Sequence, residues 1–138
     1  MWDQYDRILL ALTAWREARG EGRRSMVAVV HSILNRVNNP KWWGNSVSSV
    51  IAKHWQYSSM TDPRDPQLTK FPVQPDESFS QAMLAVADVL DNEVPNPAPR
   101  ADSYYDDSIP PPKWATPDKL VGKIGRLTFY NIDQDTGD

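Results

Sequence analysis

Two glutamates in one short segment could do acid–base chemistry. Glu17 and Glu21 fall within WREARGEGRR, residues 15–24. Glu17 would lie in the last turn of a helix, where the partial negative charge of the helix C-terminus favours the neutral acid. Repulsion from Glu21 and desolvation by Trp15 would raise the pKa of Glu17 further. A carboxylic acid that keeps its proton near neutral pH can protonate the leaving oxygen of a glycosidic bond.

Neighbouring arginines could oppose this effect. A guanidinium paired with Glu17 would lower its pKa and leave an ordinary ion pair. Arg16 and Arg19 lie one residue before and two residues after Glu17, so a helix would point both away from it. The simpler interpretation is a charged helix end in solvent, and because the motif is short the spacing alone favours that interpretation.

Aromatic residues could supply a sugar-binding surface. The chain has six Trp and five Tyr against three Phe, and rings with a polar handle suit sugar faces and other half-wet surfaces. If these rings face one cleft with Glu17 they form a platform for a saccharide, and if they cap the core they carry no function. We favour the cleft, because many fall in predicted loops or at element ends: Trp42, Trp43, Trp55, Tyr57, Tyr104, Tyr105 and Trp114.

Composition excludes several other chemistries. The chain has no cysteine, which rules out disulfides, thiolate zinc sites and cysteine nucleophiles. Of its two histidines, His31 is expected to be a hydrogen-bonded histidine of a buried helix, and His54 to end a helix. Their spacing does not support a zinc amidase, so we expect no metal and no cofactor. The net charge of -3 argues against nucleic-acid binding.

The hydrophobic spacing predicts three long helices, over residues 3–19, 23–38 and 77–93. In the first, Asp3 is the expected N-cap, and Gly20 would end the helix in a left-handed conformation. The apolar face of this helix would comprise Tyr5, Ile8, Leu9, Leu12 and Trp15. The second helix has a wide apolar stripe and should be largely buried.

The remaining elements are short. Ser46 would cap a short helix, and the proline-containing segment 57–75 is expected to be an irregular loop. Short strands are predicted over 103–107 and within 120–131, with a turn or bulge marked by Gly122 and Gly125. The expected fold class is α+β and mostly helical, with residues 1–138 as a single domain and a few short strands in its C-terminal third.

Two adjoining motifs are Glu17-Ala-Arg-Gly-Glu21 and Ile33-Leu-Asn-Arg-Val37. They resemble the EARGE and LNRV patterns of the spore cortex-lytic (SleB/CwlJ-type) cell-wall hydrolase family. The likeness continues through Val50-Ile51, Trp55-Gln56-Tyr57-Ser58, Tyr104-Tyr105, Pro112-Lys-Trp114-Ala115, Ile124-Gly125 and Phe129-Tyr130. One departure is Leu127, which stands where the family has a histidine, and the histidine often found beside the tyrosine pair is also missing.

The resemblance implies a lysozyme-like fold and an enzyme that cuts the glycan strand of peptidoglycan, by hydrolysis or by lytic transglycosylation. Glu17 would be its single catalytic acid/base. The partners would be glycan strands, with no nucleic acid and no stable membrane insertion. Substrate contacts would come from Glu21, Gln56, Tyr57, Tyr104, Tyr105 and Trp114.

The N-terminal residues carry no secretion signal, because acids lead and arginines soon follow. We therefore expect a monomeric phage or prophage endolysin that waits in the host cytoplasm until a holin opens the membrane, and then acts on the cell wall. Two alternatives stay open at this point. One is a non-catalytic carbohydrate-binding module, in which the pKa of Glu17 would be ordinary. The other is a small phage structural protein, which would not bind peptidoglycan.

Overall fold

The computed structural model describes residues 2–53, 57–73 and 75–132. Within these ranges the helices come first and a small sheet follows, so the α+β, mostly helical prediction is confirmed. The helices are α1 (Gln4–Ala18), α2 (Arg23–Asn38), α3 (Val47–Ala52), α4 (Ser58–Thr61) and α5 (Glu77–Leu90). The strands are β1 (Ser103–Asp106), β2 (Leu120–Ile124) and β3 (Leu127–Tyr130). No helix in the described ranges is both long enough and apolar enough to span a bilayer.

Helix α1 begins where the sequence predicts. The Asp3 carboxylate accepts a hydrogen bond from the Asp6 amide at 2.8 Å, and the Asp6 carboxylate accepts one from the Asp3 amide at 3.2 Å, which satisfies two donors at the helix start. Its end differs from the prediction, since the left-handed glycine is not Gly20. The Glu21 amide donates to the Ala18 carbonyl at 2.9 Å, and the chain reverses at Gly22, whose φ is 92°. In the connection between α1 and α2, Gly22 and not Gly20 has the positive φ that favours glycine.

The buried face of α1 agrees with the predicted stripe only in part, since Trp15 is buried and Leu9 and Leu12 pack against the core, whereas Tyr5 and Ile8 do not. Tyr5 is 63% exposed and Ile8 is 45% exposed. The helix packs on α2 and α5 through a face that is rich in alanine: Leu10, Ala11, Ala14, Trp15 and Ala18. Small residues let neighbouring helices approach closely. The face of α1 that is buried is therefore the one that allows close packing, although larger apolar side chains lie outside it.

Helix α2 is the central element, as its wide apolar stripe predicts. Its buried residues include Met26, Val27, Ala28, Val29, Val30, Ile33 and Leu34. They belong to a hydrophobic cluster that also takes in the inner faces of α1, α5 and the sheet. His31 is half-buried on this helix, with Nε2 3.2 Å from the Val94 carbonyl, and burial lowers its pKa. The predicted role of His31 as a hydrogen-bonded histidine is confirmed.

Residues 57–73, which belong to the segment predicted as an irregular loop, are more ordered than predicted. They contain α4 and a 3₁₀ turn over Pro66–Thr69. Asp65 caps that turn by accepting from the Gln67 amide at 2.8 Å, and a proline at the first position costs nothing because its missing N–H would be unpaired there. The following helix, α5, is capped by Asp76 and ends at Leu90, three residues before the predicted end.

The three strands form an antiparallel sheet in the order β1-β3-β2. Gly125, with φ of 58°, lies in the tight turn between β2 and β3, and the β2–β3 register shifts between Leu120 and Gly122. These glycines thus mark the turn and the irregularity that the sequence predicts. The central strand buries Leu127 and Phe129, and β1 pairs with it so that Tyr104 lies opposite Phe129. This register fixes the position of Tyr104 on the edge strand of the sheet.

Candidate active site

Glu17 lies in the last turn of α1, in the wall of a cleft of about 820 Å³. The cleft is bounded by α1 on one side, by the segment around α4 on a second and by β1 with its following loop on a third. Most of the predicted site residues meet here, although they come from opposite ends of the chain: Glu17, Glu21, Tyr57, Tyr104, Tyr105 and Trp114. Gln56 and Trp55 lie outside the described residues, as does His54.

Tyr104 is the closest partner of the Glu17 carboxyl group. Its hydroxyl donates to Glu17 Oε1 at 2.7 Å, which connects the helix to the sheet edge. Burial and the charge of Glu17 raise the pKa of Tyr104 well above its ordinary value, so the phenol keeps its proton and remains a donor. The predicted contact of Tyr104 with substrate stays a prediction, whereas its hydrogen bond to the candidate acid is observed.

Burial raises the pKa of Glu17, which is the predicted direction. The negative charge of Asp65 raises this pKa further, whereas the nearby Ser59 and the hydrogen bond from Tyr104 lower it. The like charge therefore comes from Asp65, forty-eight residues along the chain, and not from Glu21 as predicted. Among the residues that the structure describes, no lysine or arginine forms an ion pair with Glu17. The interpretation as a solvated helix end is contradicted.

The two adjacent arginines are engaged elsewhere. Arg16 is buried and donates to the Ser59 and Lys70 carbonyls, both at 3.1 Å. The Arg19 guanidinium lies over the Trp15 ring, 4.2 Å from its centroid. Neither guanidinium forms an ion pair with Glu17, as the helical spacing predicts, and Arg16 additionally fastens the segment 58–70 to α1.

Glu21 binds the turn between β2 and β3 and does not give Glu17 the predicted electrostatic support. Its Oε1 accepts from the Arg126 amide at 2.7 Å, in the β2–β3 turn. A Cβ on Gly125 would come within 2.6 Å of that same oxygen, so the turn needs glycine to approach this closely. Glu21 anchors the hairpin at the rim of the cleft, and a contact with substrate stays a prediction.

Tyr57 packs behind Tyr104. Its ring centroid lies 6.3 Å from that of Tyr104, and only 2% of the residue is exposed. Burial raises the pKa of Tyr57, so its phenol also stays neutral. A residue this buried supports the tyrosine in front of it and leaves little surface for a sugar to contact.

The outer wall of the cleft is aromatic. Tyr105 stacks on Tyr130 at 6.0 Å with an interplanar angle of 24°, and the Trp114 ring meets Tyr130 edge-on at 5.5 Å. Trp114 remains partly exposed and lines the cleft beside Pro112. This cluster has the mixed apolar and polar surface that a sugar ring requires.

The tandem tryptophans have separate roles. Trp43 is a core residue whose Nε1 donates to the Arg36 carbonyl at 2.8 Å, whereas Trp42 is exposed at the cleft. The buried Arg36 guanidinium lies over both rings, at 4.8 Å from the Trp43 centroid and 5.6 Å from that of Trp42. The prediction that these rings face a cleft therefore holds for Trp42 and is wrong for Trp43.

Sequence analysis missed three contributors to the site: Arg36, Ser59 and Asp65. Arg36 is part of the LNRV-type motif, so it was visible but carried no assigned role. Ser59 and Asp65 come from a segment with no periodicity to place them. Across 2–53, 57–73 and 75–132, no group of three or more His, Asp or Glu side chains is arranged to hold a metal ion.

The sequence itself is similar to known proteins. A family model described as Cell Wall Hydrolase matches residues 20–130. The chain belongs to the cell wall hydrolase family. The match begins just after Glu17, so the role of that glutamate in this family member rests on the geometry above. The resemblance to spore cortex-lytic hydrolases that the two motifs carry is confirmed.

Curated relatives of this family member include two spore cortex-lytic enzymes. That of Bacillus subtilis is 32% identical over 121 residues, which is 88% of this chain and 36% of the relative. That of Halalkalibacterium halodurans is 31% identical over 123 residues, which is 89% of this chain and 34% of the relative. The family member thus spans about a third of the length of these relatives.

Solved structures agree with the fold. One is the catalytic domain of a germination-specific lytic transglycosylase, SleB, from Bacillus anthracis, with a TM-score of 0.72 and 28% identity over 94% of this chain and 96% of that one. Another is the catalytic domain of the Bacillus cereus SleB protein, with a TM-score of 0.70 and 26% identity over 94% and 92% of the two chains. The lysozyme-like fold that the resemblance implies is confirmed.

Proposed function

We propose that this chain cleaves the glycan strand of peptidoglycan between N-acetylmuramic acid and N-acetylglucosamine, with Glu17 as the single catalytic acid/base. One observation carries the proposal: a carboxyl group with a raised pKa and no basic partner among the described residues lines a cleft of about 820 Å³. That volume suits a ligand of several sugar-ring dimensions. The names of the relatives, which are cell-wall and cortex-lytic enzymes, support the same substrate class.

The first step of the mechanism is protonation. Glu17 gives its proton to the glycosidic oxygen as the bond to the sugar carbon lengthens and positive charge develops on the ring. The donor hydrogen bond from Tyr104 at 2.7 Å stabilises the carboxylate that remains. The fixed negative charge of Asp65, which raises the pKa of Glu17, keeps the proton in place until the leaving oxygen accepts it.

The second step returns a proton to the same carboxylate. Glu17 removes it from the attacking hydroxyl, which is either water or the 6-hydroxyl of the muramic acid residue. Asp65 is poorly suited to act as a second base, because its two oxygens already accept from the Gln67 amide at 2.8 Å and the Ser58 hydroxyl at 2.7 Å. We favour attack by the 6-hydroxyl, which leaves an anhydro end, because the Bacillus anthracis neighbour is described as a lytic transglycosylase.

Substrate would bind along the aromatic wall. Trp114 and Tyr105 offer ring faces and edges on one side of the cleft, and Trp42 offers another. Sugar rings stack on such surfaces by their apolar faces, while the phenol and indole polar atoms reach ring hydroxyls. This stacking would position the glycan so that one glycosidic bond lies next to the Glu17 carboxyl group.

The experiment is a digest of purified peptidoglycan followed by mass spectrometry of the released muropeptides. Wild-type protein should release fragments lighter by one water than hydrolytic ones, and Glu17→Gln should fold and bind the polymer yet release none. Glu77→Gln, an exposed glutamate at the start of α5, is the matched control and should behave as wild type. Full activity in Glu17→Gln would refute the assignment. Binding without cleavage by the wild-type protein would instead support a carbohydrate-binding module.

The biological setting is a further part of the proposal. We propose that the enzyme serves phage-induced lysis and acts as a monomer. Co-expression with a holin in a bacterial host should cause lysis that expression of either protein alone does not, and sedimentation should give the mass of one chain.

A further inference from the structure

Ser59 lines the cleft and carries a buried hydroxyl with no hydrogen-bond partner among the described residues. The residue is 1% exposed, and its Oγ makes no hydrogen bond with any part of the chain that the structure describes. An unpaired buried hydroxyl costs free energy, so such groups are uncommon away from functional sites. Ser59 lines the same cleft as Glu17, in the segment that faces the end of α1.

The backbone at Ser59 is held firmly against α1. Arg16, the residue before Glu17, donates from Nη1 to the Ser59 carbonyl at 3.1 Å and from Nε to the Lys70 carbonyl at 3.1 Å. The two bonds bridge the ends of the segment 59–70 through a single buried guanidinium. Because the anchor is adjacent in sequence to Glu17, it fixes the serine relative to the carboxyl group.

Ser59 lines the same cleft as Glu17 and affects the pKa of that carboxyl group. The side chain and the backbone amide of Ser59 both favour the ionised form of Glu17 and lower its pKa, although the hydroxyl does not complete a hydrogen bond in this arrangement. Its Oγ is shielded from solvent and therefore from substrate. The group that this hydroxyl can serve is the carboxylate beside it.

We propose that Ser59 is a positioning residue for Glu17, whose hydroxyl turns to donate to the carboxylate once the proton has passed to the leaving oxygen. No bond to Ser59 is made or broken, because only the direction of its O–H changes. Together with Tyr104 it provides two donors for the negative charge that forms on Glu17 during the reaction. This inference rests on the proposed function, since it assigns Ser59 to the chemistry of Glu17.

Other charged or titratable groups around Glu17 do not replace this donor. Tyr57 and Tyr104 face it from the loop before α4 and from β1, and Asp65 faces it from the loop before the 3₁₀ turn. Asp65 has no proton to donate when ionised, and Tyr57 is kept neutral behind Tyr104. Arg36, on α2, acts on the two tyrosines.

The test compares Ser59→Ala with Ser59→Cys, and uses the exposed Ser48→Ala as the control. Cysteine fills nearly the same space as serine but is a weak donor. If the hydroxyl acts through a hydrogen bond, kcat on soluble glycan strands falls about tenfold in both Ser59 variants, with KM unchanged. The pKa of Glu17 rises in both, which moves the alkaline limb of the rate profile to higher pH.

Two results would overturn the inference. One is a Ser59→Cys variant that matches wild type while Ser59→Ala is impaired, because that pattern indicates packing. The other is an alkaline limb that stays in place in both variants. A second readout, the ¹³C shift of the Glu17 carboxyl carbon assigned with Glu17→Gln, separates this inference from the proposed function. If the wild-type protein cleaves no glycan, the proposed function fails, but a higher titration midpoint in both Ser59 variants still supports the role of Ser59.

Discussion

The hydroxyl of Tyr104 donates to Glu17 Oε1 at 2.7 Å, across eighty-seven positions of the chain. This contact joins the C-terminal turn of α1 to the edge strand of the sheet, so neither element alone makes the site. It also affects the pKa of Glu17, because burial favours the neutral acid while the hydrogen bond from the phenol favours the carboxylate. An acid that must lose and regain a proton needs both influences.

Removing the phenol should slow the reaction. Tyr104→Phe keeps the ring contact with Phe129, at 5.2 Å, and deletes only the donor. We expect kcat to fall by about tenfold or more, because a hydrogen bond to a charged group contributes about 1.5–3 kcal/mol. Steady-state kinetics on glycan strands measures this, and Tyr5→Phe on the exposed end of α1 is the control. Wild-type kcat in Tyr104→Phe would show that the contact is not used.

Replacing the acid should stabilise the fold above the titration range of an ordinary glutamate. As pH rises past 4.5, the ordinary value, Glu17 ionises in the unfolded chain while its raised pKa keeps it protonated in the folded protein. The folded state then binds more protons, so stability falls as pH rises through the folded pKa. Glu17→Gln has no ionisable group at this position, so its unfolding free energy does not fall for this reason.

Urea denaturation at several pH values measures that effect. The gain in unfolding free energy of Glu17→Gln over wild type should grow from acidic pH toward neutral pH and then level off. Glu77→Gln supplies the comparison for an exposed carboxylate. A difference that is constant with pH would mean that the pKa of Glu17 is not raised.

The turn between β2 and β3 should tolerate only glycine at its tip. Gly125→Ala places a Cβ 2.6 Å from Glu21 Oε1, at a φ of 58°. We expect a loss of about 1–3 kcal/mol in unfolding free energy from the strained backbone and the lost contact. Gly20→Ala is the matched control, because nothing lies within 4 Å of a Cβ there, and should change stability little. Equal effects of the two changes, measured by chemical denaturation, would contradict this account of the turn.

The tryptophans should separate binding from folding. Trp114→Ala should raise KM severalfold with a smaller change in kcat and little change in stability, since the ring lies partly exposed at the cleft. Trp43→Ala should cost about 3–5 kcal/mol of stability, because its ring is buried in the core. Kinetics and denaturation of both variants test the division. A stable Trp43→Ala protein with a raised KM would reverse the assignment.

Local pattern predicted much of the fold. Helix α2 has the bounds expected from its spacing, 23–38, and the caps at Asp3 and Ser46 act as their side-chain chemistry requires. These features depend on residues within a few positions of one another, which is why a single sequence displays them. The predicted face of α1 is wrong only at Tyr5 and Ile8, because alanine adds little to an apolar pattern, yet permits the close packing that decides which face is buried.

The site was predictable only in part. The raised pKa of Glu17 has the expected direction, but its causes are burial and Asp65, which reaches the site through the folding of the segment over 57–75. Ser59 likewise depends on the Arg16 anchor, a tertiary contact with no periodic signal. Trp42 and Trp43 are adjacent residues of the same type, but Trp42 is exposed and Trp43 is buried in the core. Composition alone therefore could not show which of the two is exposed.

The central claim is that Glu17 holds its proton in the cleft because burial outweighs the donors around it. Site-specific titration of the Glu17 carboxyl carbon by ¹³C NMR in the wild-type protein measures this directly, with Glu17→Gln to assign the signal. The account predicts a pKa for Glu17 above the ordinary 4.5, with Glu77 as the reference exposed glutamate. A midpoint for Glu17 at or below that of Glu77 would contradict the account.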